Sequence, residues 1–119
     1  MAKILIIDDE ADVVEFQKSY LARRKHEVSI ARNTAEALEA IKNNPFDIIF
    51  CDLRIDTDTS GLDILEEAKK HSSCAVFYIV TGVIDRQIEN RAMESGAKEV
   101  LHKPVPNQVL DEKIKESGF

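Results

Sequence analysis

The stretch DIIFCDL at residues 47–53 decides the fold, because four apolar residues run without interruption between two acids. An unbroken apolar run is typical of a strand that is covered on both faces of a parallel sheet. Three further segments are continuous apolar runs: residues 4–7, 75–80 and 100–101. A weaker segment, residues 28–31, alternates between apolar and polar residues. The sequence thus predicts five strands, with the alternating strand nearer the edge of the sheet.

Segments with helical periodicity lie between these runs and after the last one. The apolar residues that define the periodicity are Val13, Phe16, Tyr20 and Leu21; Ala37, Leu38 and Ile41; Leu62, Leu65 and Ala68; Ile84, Ile88 and Ala92; and Val109, Leu110 and Ile114. Asn33 and Glu36 predict a capping box at the start of the second helix. Asn44-Pro45 predicts the end of that helix, and Gly96 predicts a C-cap before the last strand. Strict alternation of strand and helix predicts a doubly wound α/β fold, a five-stranded parallel sheet with helices on both faces.

The length and composition suit one domain. The chain has 119 residues, 44% of them hydrophobic, so we expect a single domain over residues 1–119 with a core of its own. No output domain is visible in the sequence. Only 6% of the residues are aromatic and none is Trp, which argues against base-stacking or carbohydrate-binding platforms. The net charge of −6 opposes direct binding to nucleic acid or to an anionic membrane.

The cysteines and the first apolar run bear on the compartment. Cys51 and Cys74 form no CxxC or Cys/His cluster, so the sequence predicts neither a zinc site nor a disulfide framework and suits a reducing cytoplasm. The apolar run at residues 4–7 is too short for the core of a signal peptide or for a membrane span. We expect a cytoplasmic location without membrane insertion.

Acids, a hydroxyl and an ammonium stand where the predicted strands end. In open α/β sheets, ligands bind outside the carboxyl ends of the strands. The residues at these ends are Asp8, Asp9 and Glu10 for the first strand, Asp52 for the third, Thr81 and Gly82 for the fourth, and Lys103 and Pro104 for the fifth. Each alone has a structural explanation, such as a helix cap, a solvated loop acid or a surface base. Their joint placement at one edge favours a functional site.

The charges of this set call for a bound cation. Two carboxylates about 4 Å apart repel by roughly 4 kcal/mol at an effective dielectric constant near 20. Lys103 alone does not neutralise three acids, whereas Mg²⁺ favours carboxylate and carbonyl oxygens. With such a metal, Asp52 would attack a phosphoryl group and form an acyl phosphate. Lys103 and Thr81 would hold the transferred oxygens, and Gly82 would leave space for them.

An ordered set of motifs carries a family resemblance. It consists of the acidic pair after residues 4–7, the stretch at residues 47–53, Ser60-Gly61-Leu62 at the start of the third helix, Thr81-Gly82, and Gly96-Ala97 leading to Lys103-Pro104. Over essentially its whole length, the chain resembles the response-regulator receiver domains of two-component systems, of the single-domain chemotaxis type.

The resemblance implies a flavodoxin-like (βα)5 fold with strand order 2-1-3-4-5. It also implies that Asp52 takes a phosphoryl group from a phosphohistidine on a sensor kinase or phosphotransfer protein. Mg²⁺, for which Mn²⁺ could substitute, would be held by Asp9, Asp52 and the carbonyl of Arg54, with Asp8 acting mainly through metal-bound water.

On the same resemblance, Thr81 and Lys103 would contact the phosphate and the Lys103–Pro104 bond would be cis. The chain would be a signalling phosphoacceptor, not an enzyme, catalysing only its own phosphorylation and dephosphorylation. Its output would be a changed surface for a downstream protein. It could act as a diffusible regulator, as an intermediate in a phosphorelay or as part of a longer protein.

Three features depart from the family pattern. Val100 stands where the family usually carries the aromatic residue that swings inward on phosphorylation. The loop between Asp52 and Gly61 is one residue longer than usual and lacks the common Pro. Arg54 and Val83 occupy positions that, in this family, tune how readily water removes the phosphate.

Four other interpretations use some of the same residues. Residues 56–67 match much of the EF-hand loop spacing, yet the segment follows a strand and has Asp63 where an apolar residue is needed. A haloacid-dehalogenase phosphatase would need a second Asp two residues after the nucleophile, where this chain has Arg54. A flavodoxin-like electron carrier would need a hydroxyl-rich phosphate loop in place of Asp8 and Asp9. A pseudo-receiver would keep the fold and signal without phosphate.

Val13 and Phe16 on the first predicted helix have two explanations, exposure at the surface or burial against the sheet. Val13 and Phe16 could contribute to a kinase-docking surface beside the site, as the resemblance suggests. Packing of that helix against the sheet would explain these two residues equally well.

Overall fold

Strands and helices alternate along the chain in the computed structural model, which describes residues 1–71 and 74–119. The strands are β1 (Lys3–Ile7), β2 (Glu27–Ala31), β3 (Ile48–Asp52), β4 (Val76–Thr81) and β5 (Glu99–His102). The helices are α1 (Ala11–Arg23), α2 (Thr34–Asn43), α3 (Ser60–His71), α4 (Arg86–Glu94) and α5 (Asn107–Glu116). The strands pair in parallel in the order β2-β1-β3-β4-β5. The predicted fold class, strand order and edge position of β2 are confirmed.

The apolar pattern of each strand follows from what covers it. β3 lies in the centre of the sheet and is buried along its whole length, whereas the edge strand β2 alternates between exposed and covered residues. On one face of the sheet, α2, α3 and α4 cover a core that includes Leu5 and Ile49. On the other face, α1 and α5 cover a core that includes Ile4 and Phe50. Burial on both faces explains why β1 and β3 are apolar at successive positions.

The helix ends largely follow the predicted capping signals. The side chain of Asn33 accepts a hydrogen bond from the Glu36 N–H at 2.8 Å and caps α2. Glu36 reaches back one residue further than a capping box requires and accepts from the Arg32 N–H at 2.9 Å. Gly96 has a φ of +110° and follows Ser95, the C-cap of α4. Its left-handed conformation ends the helix and turns the chain toward β5.

The structure decides between the two explanations of Val13 and Phe16 on α1, packing against the sheet or exposure at the surface. Val14 and Leu21, which are seven residues apart and therefore on one side of the helix, are its buried residues. Val13 is 38% exposed and Phe16 is 71% exposed. Ile84, predicted to lie on the core face of α4, is 85% exposed because it precedes the start of that helix. The periodic pattern thus includes Val13, Phe16 and Ile84, although none of the three is buried.

Both cysteines of the chain are free thiols, Cys51 in the core and Cys74 at the surface. Within residues 1–71 and 74–119, no helix combines the length and the apolar character that crossing a membrane requires.

Candidate functional site

The side chains singled out at the strand ends meet at one edge of the sheet. Asp52 is the last residue of β3 and Thr81 is the last residue of β4. Asp8 and Asp9 follow β1, and Lys103 follows β5. Because all the strands run in the same direction, their carboxyl ends share this edge. The structure thus brings the predicted residues together.

The Asp52 carboxylate is buried and accepts two hydrogen bonds. The residue is only 8% exposed. Its Oδ2 accepts from Lys103 Nζ at 2.8 Å, and its Oδ1 accepts from the Arg54 N–H at 3.3 Å. Leu53, the next residue, donates its N–H to the Val80 carbonyl oxygen at 2.9 Å and continues the pairing with β4. The carboxylate is therefore held in place from both sides.

Lys103 is shared among three carboxylates. Besides Asp52, its Nζ lies 3.4 Å from Asp8 Oδ2 and 3.6 Å from Glu10 Oε1. Burial, the largest influence, lowers the pKa of Lys103, but the combined hydrogen bond and charge of Asp52 and the charges of the other two acids outweigh it. The pKa of Lys103 is therefore raised, and its ammonium stays charged at neutral pH.

Asp8 is a buried carboxylate whose pKa is raised. Burial is the largest cause that raises the pKa of the Asp8 carboxyl, and the charge of Asp52 also raises it. The Glu10 N–H, which donates to Asp8 Oδ1 at 3.0 Å, and the Lys103 ammonium oppose this shift without cancelling it. An additional cation would stabilise the ionised form of Asp8.

Three carboxylates form a set that a metal ion could use. Oxygen atoms of Asp8, Asp9 and Asp52 all lie within 4.8 Å of one another, and Asp9 is exposed to solvent. Several carboxylate oxygens with access to water are the donor set that Mg²⁺ prefers. The residues present therefore fit the predicted metal. The role of the Arg54 carbonyl as a further ligand remains a prediction.

Thr81 and Gly82 border the site on the β4 side. Thr81 is 2% exposed, and its Oγ1 accepts from the Val83 N–H at 3.0 Å. A Cβ added to Gly82 would have no atom within 4 Å, so the space that its predicted role requires is there. The Lys103–Pro104 bond is cis, which is the geometry that the resemblance implies.

Sequence reasoning missed the contact between Gly61 and Leu53, the residue after Asp52. Gly61 was placed only as part of the start of α3, yet its N–H donates to the Leu53 carbonyl oxygen at 2.8 Å. A glycine directly after a predicted helix start was the available signal, since a helix interior disfavours it. Glu10, which contacts Lys103, was noted at the strand end without a role.

The structure gives positions for Val100, which departs from the family pattern, and for the residues of the EF-hand alternative. Val100 lies on β5, half-buried against the core that α2, α3 and α4 cover. A valine has no ring that could swing there. In residues 56–67, α3 already begins at Ser60 and the preceding element is the strand β3, which is not the helix–loop–helix arrangement of an EF-hand.

A cavity of about 380 Å³ opens beside the site between α1 and the segment after β5. Its apolar floor comes from the sheet and α5, and its rim carries the charged residues of the site. The residues that line it include Ile6, Phe50, Val80, Leu110, Val13, Gln17, Val105, Asp8, Glu10, Asp52 and Lys103. The Asp52 carboxylate is thus reached from the side of α1.

The sheet and its helices form a flavodoxin-like (βα)5 domain. Its site is a cluster of acids at the carboxyl edge of the sheet, in which Asp52 pairs with Lys103. The chain belongs to the response regulator receiver domain family, whose sequence model matches residues 4–115. Members of this family are signalling phosphoacceptors of two-component systems. The predicted family is confirmed.

Relatives with known roles are much longer than this chain. The response regulator protein PilR of Pseudomonas aeruginosa is 38% identical over 105 residues, which cover 87% of this chain and 23% of PilR. A cyclic di-GMP phosphodiesterase of Thermotoga maritima is 31% identical over 112 residues, which cover 93% of this chain and 29% of that protein. The chain spans about a quarter of the length of the curated relatives that it matches.

Solved receiver domains superimpose on the whole chain. A CheY-like receiver domain protein of Methanospirillum hungatei has a TM-score of 0.91 and 30% identity, covering 98% of this chain and 92% of its own. A receiver domain protein of Clostridium thermocellum has a TM-score of 0.88 and 35% identity, covering 98% and 94%. The fold is therefore that of the receiver family from end to end.

Proposed function

We propose that Asp52 accepts a phosphoryl group from a phosphohistidine on a sensor kinase or histidine phosphotransfer protein. The observation that carries this proposal is the 2.8 Å contact between Asp52 Oδ2 and Lys103 Nζ, beside the oxygens of Asp8 and Asp9. A buried carboxylate held by one ammonium is fixed in position and ready for attack. Family membership supports the same role.

In the chemical step, the phosphoryl group moves from a histidine nitrogen to an oxygen of the Asp52 carboxylate. An oxygen of the Asp52 carboxylate forms a bond to phosphorus while the P–N bond of the phosphohistidine breaks. The electron pair of the broken bond stays on the imidazole nitrogen, which later takes a proton from water. The Asp52 oxygen acts as the nucleophile through a lone pair of its carboxylate.

Lys103 and Thr81 are placed to hold the oxygens of the transferred group. The Lys103 ammonium already lies at Asp52 Oδ2 and would follow the phosphoryl group by a short movement of its flexible side chain. Among the described residues, the nearest hydrogen-bond acceptor for the Thr81 hydroxyl is the Val83 carbonyl oxygen at 3.5 Å, a weak bond. The hydroxyl is therefore available to donate to a phosphoryl oxygen.

The proposed metal is Mg²⁺, for which Mn²⁺ could substitute. Asp8, Asp9 and Asp52 would hold it together with the carbonyl of Arg54. A bound dication would offset the negative charge of the carboxylates and of the incoming phosphoryl group. Burial, and to a smaller extent the charge of Asp52, raise the pKa of Asp8, and a bound cation would favour its ionised form.

The proposed partners are proteins. Phe16 and Val13 on α1 are exposed beside the mouth of the cavity, where a kinase or phosphotransfer helix could dock. Phosphorylation would bias an existing equilibrium between two conformations and change the surface offered to a downstream protein. Because Val100 replaces the usual aromatic residue, that change would not use a rotating ring at this position.

The proposed setting is the cytoplasm, without direct binding to nucleic acid and without membrane insertion. Free thiols at Cys51 and Cys74 suit a reducing compartment, and the net charge of −6 opposes binding to anionic polymers. We also propose that the chain is a signalling phosphoacceptor and not an enzyme that turns over an external substrate.

Incubation with Mg²⁺ and acetyl phosphate, followed by intact-mass measurement, tests the proposal. The wild-type chain should gain the mass of one phosphoryl group, and Asp52→Asn should gain none. An unmodified wild-type chain would favour a pseudo-receiver that signals without phosphate. Repeated turnover of small phosphate esters would instead favour a phosphatase.

A further inference from the structure

The loop between β3 and α3, residues 53–59, carries Arg54, the backbone ligand proposed for the metal. None of its residues is Pro, so the backbone of the loop itself restrains its conformation less. Two side chains compensate for this freedom. They belong to Asp56 within the loop and to Ser60 at its end.

Asp56 binds the loop to a neighbouring helix. Its Oδ2 accepts a hydrogen bond from the Thr34 N–H at 2.9 Å. Thr34 is the first residue of α2, so its N–H has no acceptor within the helix and lies at the positive end of the helix dipole. A carboxylate is the group that such a position favours. The bond joins two residues that are 22 positions apart in the sequence.

Ser60 holds the same part of the loop from the other side. Ser60 is 2% exposed, and its Oγ accepts from the Thr57 N–H at 2.7 Å and from the Asp56 N–H at 3.1 Å. The Ser60 hydroxyl also contacts the Thr57 carbonyl oxygen at 3.2 Å. Asp56 is thus fixed through its backbone to α3 and through its side chain to α2.

We propose that Asp56 is a positioning residue that clamps the loop to α2 and so presents the Arg54 carbonyl to the divalent cation. This inference rests on the metal site of the proposed function. A loop that is ordered before binding loses less conformational entropy when the ion binds. Because the coupling is reciprocal, cation binding should in turn strengthen the Asp56–Thr34 hydrogen bond.

The chain offers a matched control for the charge of Asp56. Asp58 lies in the same loop, carries the same charge and has a side chain that is 87% exposed. Its ion pair is a distant contact, 4.0 Å from its Oδ1 to Arg54 Nε. Loss of Asp58 therefore removes one negative charge near the site and leaves the clamp intact.

Thr34→Pro removes the clamp without changing any charge. Proline lacks the N–H that Asp56 accepts, and the first position of a helix tolerates it. Asn33, the residue before it, already has the extended conformation that precedes proline, with φ −152° and ψ 171°. This variant should therefore fold, and it tests the same hydrogen bond from the donor side.

The experiment measures the Mg²⁺ dissociation constant of the full chain by titration, with amide NMR spectra recorded at each step. Asp56→Ala and Thr34→Pro should each weaken Mg²⁺ binding by roughly fivefold, and the double variant should be no weaker than either single one. Asp56→Asn, which keeps an acceptor oxygen, should recover part of the affinity, and Asp58→Ala should change it much less. In the wild type, the Thr34 amide resonance should shift on Mg²⁺ binding.

Several results would overturn the positioning role. Unchanged affinity in both clamp variants would show that the loop is ordered without Asp56. An equal loss in Asp58→Ala would assign the effect to charge instead of the clamp. A wild-type chain that binds no Mg²⁺ would overturn the proposed metal site and this inference with it, whereas the first two results leave the metal site standing.

Discussion

Gly61 lies against the backbone of Asp52. A Cβ on Gly61 would stand 2.8 Å from the Asp52 carbonyl oxygen and 2.8 Å from the Leu53 Cα, closer than such atoms approach. The first turn of α3 thus supports the backbone from which the Asp52 carboxylate projects. A side chain at this position would displace the proposed phosphorylation site itself.

Gly61→Ala should therefore destabilise the fold and slow phosphorylation by acetyl phosphate. The added methyl group meets backbone atoms that cannot rotate away, which typically costs about 1–3 kcal/mol. Urea unfolding measures the stability, and intact-mass kinetics measure the phosphorylation rate. Gly82→Ala is the stability control, since a Cβ there has no atom within 4 Å. Equal stability of Gly61→Ala and the wild type would contradict the close contact.

Lys103→Gln should slow phosphorylation and tighten Mg²⁺ binding. Loss of a donor to the reacting oxygens typically lowers a rate about 100-fold or more. The Lys103 ammonium competes with Mg²⁺ for the Asp52 carboxylate, so its removal should tighten Mg²⁺ binding by roughly tenfold. Solvent and salt screen the charges, so the effect is smaller than for an unscreened charge pair. Mass kinetics and metal titration measure the two effects.

The control for this prediction is Lys113→Gln. Lys113 Nζ pairs with Glu99 Oε1 at 2.8 Å and Glu116 Oε2 at 3.3 Å, away from the site. This variant changes the net charge by the same amount. Similar Mg²⁺ affinities in the two variants would show that only net charge matters, against a direct role for Lys103.

Asp8→Asn should stabilise the chain at neutral pH when no divalent cation is present. Burial is the main cause that raises the pKa of Asp8 in the folded state above its ordinary value of 3.8. The folded state then favours the protonated carboxyl, so the contribution of Asp8 to stability is lost as the pH rises through its folded pKa. The gain from Asp8→Asn should shrink as the pH falls toward the ordinary carboxyl range.

Urea unfolding at a series of pH values from neutral to acid measures this gain. Asp58→Asn, which removes an exposed acid, is the charge control and should show little pH dependence. A loss of stability in Asp8→Asn at neutral pH would mean that the ion pair with Lys103 outweighs the burial of Asp8.

Phe16→Ala should weaken phosphotransfer from a partner protein without slowing phosphorylation by acetyl phosphate. Phe16 is 71% exposed, so its loss should change stability by less than about 0.5 kcal/mol. The rate of transfer from a histidine phosphotransfer protein of the same genome measures the effect. Met93→Ala on α4, where the side chain is 49% exposed, is the control. Equal transfer rates in both variants would place the docking surface elsewhere.

The sequence predicted most of the fold because burial leaves a direct mark on composition. β3 is covered on both faces, and its uninterrupted apolar run followed from that burial. α1 shows the limit of the same reasoning. It buries Val14 and Leu21, while Phe16, equally apolar, is exposed. Periodicity indicates which residues share a face of a helix. The width of the face that is buried depends on how the helix packs against the sheet.

The candidate site was predictable where it depends on topology. Asp52 and Lys103 come from strand ends, and parallel strands bring those ends together whatever the loops do. The contacts of residues 53–59 were not predictable in this way. The hydrogen bond from Thr34 to Asp56 depends on the path of a loop with no periodic pattern, so neither residue type nor spacing indicated it.

The ammonium of Lys103 serves Asp52, Asp8 and Glu10 at once. Any event that draws it toward one of these partners leaves the other two with less compensation for their negative charge. The amino end of α1, which begins directly after Glu10, therefore experiences a change of electric field whenever the charge on β3 changes. In the proposed phosphorylation, the added charge on Asp52 would reach the start of this helix through movement of the Lys103 ammonium.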